Sequence, residues 1–575
     1  METVSTVRTA AVVGLGAAGT ELARRLAGAG IRTIGVEPDP EAAARARRAC
    51  AAHPIEVTAE LSAVAAADLV LEAVPEPEPT KRAVLAAIAG HRRADVPVVT
   101  TALSTPVGEL ADAAGGPLLA LRFVRADRLD AAEVARPPHT PDEAVQLVQQ
   151  TLTAAGTTLH EVPDRPGSLA PGLLLGLLNQ AAWMCHQGYV EAEPLETAVR
   201  LGCGWSEGPL AVLAAIGHRT AADILYGLQR RLGDRYAPAP LLSGPPLVPG
   251  HGAGDPAPGA PTEGATAAAS GTAPETAAGT ATATATAPPR TVAVIGSGTM
   301  ATGIAEVFLR AGLRTLLVAR TEAKAVAARE AVEFGLLRIG WSDEQVATAL
   351  ERWSGHTELA AAADADLVVE AVVEDLAVKR ETFAALGALC RPGTVLATTT
   401  SALPVAACAA ASDRPRDVLG LHFFNPAATM DLVELVRTEH TGPAALATAR
   451  AALAAAGKVA VECGDRTGFV VNALLFPYLN DALTALADPG IRPALLDTVM
   501  KSVGGQPLGP TRLLDVVGAD VALQVQRLLH EGSGRPELAP ADLLHRLVDR
   551  GYLGRKSAGR GVRALLTEEA RAGVG

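Results

Sequence analysis

The chain has few cysteines, no cysteine pair at metal-ligand spacing, no long apolar run and no excess of positive charge, and each absence excludes a class. The six cysteines, Cys50, Cys185, Cys203, Cys390, Cys408 and Cys463, are scattered with no C-x-x-C pair. Neither a zinc site nor a disulfide framework is expected, and small buried apolar residues are the plainer reading. The first apolar run, Ala10 to Gly16, is too short for a signal peptide and ends in glycine. The longest later run, Leu169 to Met184, is interrupted by Pro171, Gly172, Gly176, Asn179 and Gln180. It falls short of the ~20 apolar residues of a membrane span, so a cytoplasmic protein with no membrane partner is expected. Lys and Arg number 50 against 62 Asp and Glu, a net charge of −12, which argues against nucleic acid as a partner.

What is present is apolar bulk. With 575 residues, 49% hydrophobic and 19% charged, the chain is long enough for several cores and too apolar to be globally disordered. One stretch stands apart. Pro249 to Pro289 contains no Leu, Ile, Val, Met or aromatic residue. Such a segment cannot bury enough apolar surface to offset its ordering entropy, and as a Gly-rich coil it would reach about 35 Å. A flexible linker is therefore expected over 244–289.

The two sides of this linker repeat each other. Each opens with an apolar strand, a Gly-rich turn and a helical pattern, and continues with Asp-Leu-Val-x-Glu-Ala-Val (Asp68–Val74 and Asp366–Val372). "DRPGSLAPGLLLGLLNQA" from Asp164 matches "DRTGFVVNALLFPYLNDA" from Asp465, and "GPLAVLAAIG" from Gly208 matches "GPTRLLDVVG" from Gly509, both 301 positions on. The chain reads as an internal duplication. In each copy short apolar strands alternate with helical patterns and are followed by helices alone, the pattern of a parallel-sheet α/β domain plus an all-α domain. The expected domains are 1–163 and 290–465 (Rossmann-type), 164–243 and 466–563 (helical), and a tail over 564–575.

Both Gly-rich turns fit dinucleotide binding. Gly14-x-Gly16-x-x-Gly19 lets a backbone approach a pyrophosphate at the positive end of a helix, and Glu37 ends the second strand, where a carboxylate accepts from both ribose hydroxyls. That favours NAD in the first half. In the second half the turn is Gly296-x-Gly298-x-x-Ala301, and Arg320, followed by Thr321 and Lys324, stands where the carboxylate should be. Cations there suit a 2′-phosphate and favour NADP over NAD.

Residues 290–557 resemble the L-3-hydroxyacyl-CoA dehydrogenases, including 3-hydroxybutyryl-CoA dehydrogenases. The resemblance is carried by "GSGTMATGIA", "DLVVEAVVEDLAVKRETF", "TTTSALP", "GLHFFNP", "DLVELV", "TGFVVNALLFPYLNDA", "GQPLGPTRLLDVVG" and "LGRK" in order. It implies a 6-phosphogluconate-dehydrogenase-like helical domain after the Rossmann-type domain. It also implies reversible oxidation of a (3S)-3-hydroxyacyl-CoA of short chain, such as 3-hydroxybutyryl-CoA, with NAD or NADP, as in fatty-acid β-oxidation. By the same resemblance His422 is the general base, Glu434 orients and charges against its ring, and Ser401 and Asn472 hydrogen-bond the substrate. Glu374 and Lys379 fall at the cofactor ribose, and Asn425 beside the nicotinamide. A carrier-protein thioester, or nucleotide sensing without turnover, are the alternative readings.

The first half keeps Glu76 and Lys81 at the spacing of Glu374 and Lys379, and loses the rest. Arg122 stands for the base, Arg125 for Asn425, Pro171 for Asn472 and Leu103 for Ser401. Glu133 matches Glu434 only with a one-residue gap. Fifteen residues are missing between Glu37 and Asp68 relative to Arg320 and Asp366, where the family carries a helical arm over the CoA nucleotide. A guanidinium cannot serve as base near pH 7, so a pseudo-enzyme half is expected. Because the family dimerises through its helical domains, residues 164–243 are expected to dock on 466–563 as a built-in partner, with a further homodimer left open.

Overall fold

In the computed structural model, residues 7–243 and 287–572 are described. The expected linker lies outside the described residues except for 287–289, which have no regular structure.

Two eight-stranded sheets dominate. In the first half the strands are β1 (Thr9–Val13), β2 (Arg32–Val36), β3 (Glu56–Thr58), β4 (Leu69–Glu72), β5 (Val98–Thr100), β6 (Leu118–Arg122), β7 (Ala131–Ala135) and β8 (Thr158–Glu161). In the second they are β9 (Thr291–Ile295), β10 (Arg314–Val318), β11 (Trp353–His356), β12 (Leu367–Glu370), β13 (Val395–Thr398), β14 (Val418–Phe423), β15 (Leu432–Arg437) and β16 (Val459–Gly464). The orders are β3-β2-β1-β4-β5-β6-β7-β8 and β11-β10-β9-β12-β13-β14-β15-β16. All pairings are parallel except β6–β7 and β14–β15. The central strands are continuous apolar runs because helices cover both faces. The order reverses between β1 and β4 and between β9 and β12, and such a switch point opens a crevice at the carboxyl ends of the strands.

The shortened stretch of the first half is visible. Between β2 and β3 lies one helix, Pro40–Ala49; between β10 and β11 lie two, Glu322–Arg338 and Asp343–Leu350.

Each sheet is followed by a helical domain that begins with a buried helix, Ala170–His186 or Val471–Ala485. Both are apolar around nearly their whole circumference, as a helix surrounded by protein must be. They pack on each other, and one apolar cluster runs through both domains, including Leu174, Leu178, Leu195, Leu474, Leu479 and Leu483. Polar links cross the same seam. Tyr189 Oη donates to Gly464 O at 2.6 Å, Ser502 Oγ meets His160 Nε2 at 2.9 Å, and Arg235 pairs with Asp481. At Gly202 a Cβ would come within 2.8 Å of Val471 and 3.0 Å of Leu432, so only glycine lets the first half approach this closely.

Residues 564–575 differ from the expected tail. Up to 572 they belong to a helix, Val562–Ala572, whose Val562 and Leu565 are fully buried, and 573–575 lie outside the described residues. Asp515 Oδ1 accepts from Val562 N at 3.2 Å, and Arg563 pairs with buried Asp497 at 2.6 Å. The apolar spacing Val562-x-x-Leu565 docks this segment onto the helical domain.

Candidate active site

The antiparallel pair β14–β15 sets the chemistry. Its register puts His422 directly opposite Glu434, so the two side chains leave the same face of the sheet as neighbours. His422 Nδ1 lies 2.6 Å from Glu434 Oε2, and both side chains are buried. The other carboxylate oxygen, Oε1, accepts from Val470 N at 3.1 Å and Val471 N at 2.8 Å, the free amides at the start of helix Val471–Ala485. One carboxylate thus orients the imidazole and ties it to the helical domain.

The far nitrogen, His422 Nε2, faces Ser401 Oγ at 3.2 Å. Asn472, in the first turn of the same helix, donates through Nδ2 to Ser401 O at 3.3 Å. Phe424 and Phe469 place their rings 4.6 and 5.5 Å from the imidazole and wall it from water. The structure therefore brings together His422, Glu434, Ser401 and Asn472, the four residues expected to form the catalytic set. All sit at the carboxyl end of the sheet.

Glu374 stands beside them. Its Oε1 accepts from Ser401 N at 2.8 Å and from Thr400 Oγ1 at 2.6 Å. Lys379 is buried, with Nζ 2.8 and 3.0 Å from the two oxygens of Glu370 and 3.5 Å from Glu374 Oε2. Glu370 also accepts from Thr398 Oγ1 at 2.8 Å. Of the pair expected at the ribose, Glu374 is the member turned outward, and the Lys379 ammonium neutralises a carboxylate inside the sheet. Sequence reasoning missed Glu370. Its signal was an acid inside an apolar run, the last residue of β12, repeated as Glu72 at the end of β4 in the first half. Asn425 is exposed just after β14.

The crevice fits a dinucleotide. Gly296 has φ of +129°, and a Cβ there would meet Ala371 O at 2.4 Å. Nothing lies within 4 Å of a Cβ built on Gly298, so the N-terminus of helix Thr299–Arg310 is open. Ala301 is fully buried under the turn. Arg320, Thr321 and Lys324 are exposed after β10, and Thr321 Oγ1 caps the next helix by accepting from Lys324 N. These residues would hold the pyrophosphate and adenosine side of the cofactor.

The first half has the same frame with different contents. Gly14 has φ of +89°, space in front of Gly16 is open, and Gly19 packs its Cα hydrogens against Gly14 O. Glu37 Oε2 accepts from Leu15 N at 2.8 Å, and its Oε1 from Asp39 N at 3.0 Å. Lys81 is buried on Glu72 at 3.0 Å, and Glu76 accepts from Leu103 N and Ser104 N at 2.9 and 2.6 Å. Arg122 is opposite Glu133 in the register, which places the one-residue gap between β6 and β7. Its guanidinium turns elsewhere, to Ala102 O at 3.0 Å, Thr105 O at 3.2 Å, Arg165 O at 3.4 Å and Asp164 Oδ1 at 2.9 Å. With no imidazole to serve, Glu133 gives both oxygens to the amides of Leu169 and Ala170, at 3.0 and 2.7 Å. Burial pushes its carboxyl up, and those amides oppose the shift. Arg125 pairs with Asp127 and Glu207, each at 2.6 Å.

A nucleotide crevice beside a buried imidazole–carboxylate pair defines an oxidoreductase built on a Rossmann-type domain. Comparison with known proteins gives the family. The NAD-binding domain of 3-hydroxyacyl-CoA dehydrogenase matches residues 48–164 and 291–466, and the C-terminal domain of 3-hydroxyacyl-CoA dehydrogenase matches 170–244 and 468–564. The chain belongs to the 3-hydroxyacyl-CoA dehydrogenase family, as a tandem duplication. It is 43% identical over 279 residues to a 3-hydroxybutyryl-CoA dehydrogenase of Mycobacterium tuberculosis, covering 47% of this chain and 96% of that one. It is 37% identical over 273 residues to the 3-hydroxyadipyl-CoA dehydrogenase of Escherichia coli, covering 47% and 58%. The crystal structure of (S)-3-hydroxybutyryl-CoA dehydrogenase from Ralstonia eutropha is 32% identical, covers 48% of this chain and 98% of that one, and superposes with a TM-score of 0.46. No helix among the described residues is long and apolar enough to cross a membrane, and no group of His, Cys, Asp or Glu among them is placed to hold a metal ion.

Proposed function

We propose that the second half catalyses reversible hydride transfer between a short-chain (3S)-3-hydroxyacyl-CoA and a nicotinamide cofactor. The observation that carries this is the chain Glu434–His422–Ser401, with Nε2 of the imidazole as the end that faces the substrate. A bound nicotinamide supplies the hydride acceptor or donor. The protein's part is the proton and the alignment. Glu434 holds hydrogen on Nδ1, which leaves the Nε2 lone pair free to take the C3 hydroxyl proton. The positive charge that forms on the ring faces the Glu434 carboxylate. Ser401 Oγ donates to the reacting oxygen, and Asn472 fixes the Ser401 backbone and faces the thioester. Phe424 and Phe469 keep water from the ring and so strengthen the imidazolium–carboxylate attraction.

NADP is favoured over NAD in this half. Arg320 and Lys324 are exposed beyond β10 where an acidic residue would repel a 2′-phosphate, and among the described residues neither forms an ion pair. The first half acts as a pseudo-enzyme and internal partner. Arg122 fills the place of the imidazole with a fixed charge, Pro171 replaces Asn472, and Arg231 of the helical domain bridges Glu78 and Glu109 at 2.9 and 2.8 Å. The packing of Ala170–His186 on Val471–Ala485 gives it a structural task, and Glu37 with the open turn at Gly16 leaves NAD as the cofactor it would hold. The test is reduction of acetoacetyl-CoA by the full chain with NADH and with NADPH. Turnover with both, faster with NADPH, is expected; no turnover with either would overturn the reading.

A further inference from the structure

We propose that the seam between the two helical domains contains a binding site for a small oxyanion, a carboxylate or phosphate group on a short apolar stem. A cavity of about 200 Å³ lies there, with Gln180 and Arg235 from the first half and Arg466 and Arg535 from the second. None of Ser401, His422, Glu434, Asn472 or the Gly-rich turns lines it, so it is separate from the site described above.

The charges in this cavity do not balance. Arg235 pairs with Asp481, and Arg535 pairs with Glu537 at 2.8 Å. Arg466 lies over the Tyr189 ring, 4.8 Å from its centre, and has no carboxylate within ion-pair distance among the described residues. Burial, and then the neighbouring Arg535 charge, pull the Arg466 guanidinium down, opposed by Tyr189. Nε and Nη1 of Arg235 are buried without a hydrogen-bond partner among the described residues. Among the described residues Arg466 is half-buried and lacks a counter-charge, and the buried N–H groups of Arg235 lack an acceptor, which is costly.

The duplication identifies what is missing. At the repeat offset of 301, Arg165 corresponds to Arg466 and Gln180 to Asp481. On one side of the seam the carboxylate of Asp481 stands near both Arg235 and Arg165. On the other side, the equivalent position before Arg466 and Arg535 is the neutral amide of Gln180, whose Oε1 is 3.5 Å from Arg535 Nη1. An oxyanion would supply the absent charge, and Leu177 and Leu474 would receive a short hydrocarbon stem. Because the walls come from both halves, an occupant ties the halves together.

The test is thermal unfolding of the full chain at constant ionic strength, titrated separately with sodium phosphate and sodium butyrate against chloride. A saturable rise in Tm with at least one anion is expected, and the responding salt identifies the group preferred. Gln180→Glu places a carboxylate in the cavity; it should unfold at higher temperature without added anion and lose the dependence. Arg535→Gln should weaken the response while leaving acetoacetyl-CoA turnover unchanged. The absence of a saturable rise in the wild type, or an undiminished response in both variants, would overturn the proposal.

Discussion

Replacing Glu434 with Gln removes one negative charge and keeps the shape of the side chain. The carboxylate serves two sets of donors at once, His422 Nδ1 at 2.6 Å through Oε2 and the amides of Val470 and Val471 at 3.1 and 2.8 Å through Oε1. A glutamine has one acceptor oxygen and one donor nitrogen, so it can satisfy only one set. If its oxygen stays on the amides, its NH2 faces the ring and forces hydrogen onto Nε2, the nitrogen that must take the substrate's proton. The equivalent acid-to-amide change in a Ser-His-Asp triad costs about 10⁴-fold in kcat, and a loss of about 10³–10⁴-fold is expected here. If its oxygen turns to the ring instead, two buried amides face a donor, at a cost of about 1–3 kcal/mol each in stability. The two outcomes separate experimentally. Steady-state reduction of acetoacetyl-CoA, followed by loss of the reduced nicotinamide's near-ultraviolet absorbance, reads the first; Tm reads the second. The reasoning is refuted if Glu434→Gln leaves Tm unchanged and kcat within about tenfold of wild type, since a tenfold change is only about 1.4 kcal/mol of barrier.

Other perturbations probe the remaining assignments. Arg122→Met removes the guanidinium that pairs with Asp164 and three carbonyls; chemical denaturation should show about 3 kcal/mol or more of lost stability with kcat unchanged at temperatures where the chain stays folded. Arg320→Asp should lower kcat/KM for NADPH by about tenfold or more while sparing NADH, because a charge-assisted contact to a 2′-phosphate is replaced by repulsion. Glu306, on the helix behind the second Gly-rich turn, is buried with Oε1 unpartnered among the described residues and Arg310 at 3.9 Å. Burial raises its carboxyl above the ordinary 4.5. A raised carboxyl favours the folded state when protonated, so this contribution is present below 4.5 and is lost as pH rises through the raised value. Glu306→Gln should therefore stabilise by about 1 kcal/mol near neutral pH and lose that gain near pH 4, read from urea midpoints.

Much of this architecture is legible in the sequence because it lies in local patterns. The Gly-rich turns mark where strand meets helix, and the offset of 301 reveals the repeat before any fold is considered. His422 and Glu434 are recognisable by resemblance, and the antiparallel register explains their twelve-residue spacing. The other task of Glu434, anchoring a helix start, depends on where a distant helix begins and leaves no local signature. Glu133, which does only that task, exposes it by contrast. The burial of Lys379 depends on Glu370, nine residues back on a different element. The helix over 562–572 reads as a tail in the sequence because two buried apolar residues, Val562 and Leu565, suffice to dock it. The charge imbalance at Arg466 comes from two halves meeting, and only the structure brings Gln180 of the first half and Arg466 of the second to the same cavity.

The central claim is that the downstream imidazole alone does the acid–base work. The most direct measurement is turnover of acetoacetyl-CoA by the full chain carrying His422→Ala, with retained Tm as the check on folding. The expected result is loss of at least about 10³-fold in kcat, with no rescue from the upstream half. Turnover close to wild type in that variant would contradict the account, because it would mean that another group moves the proton.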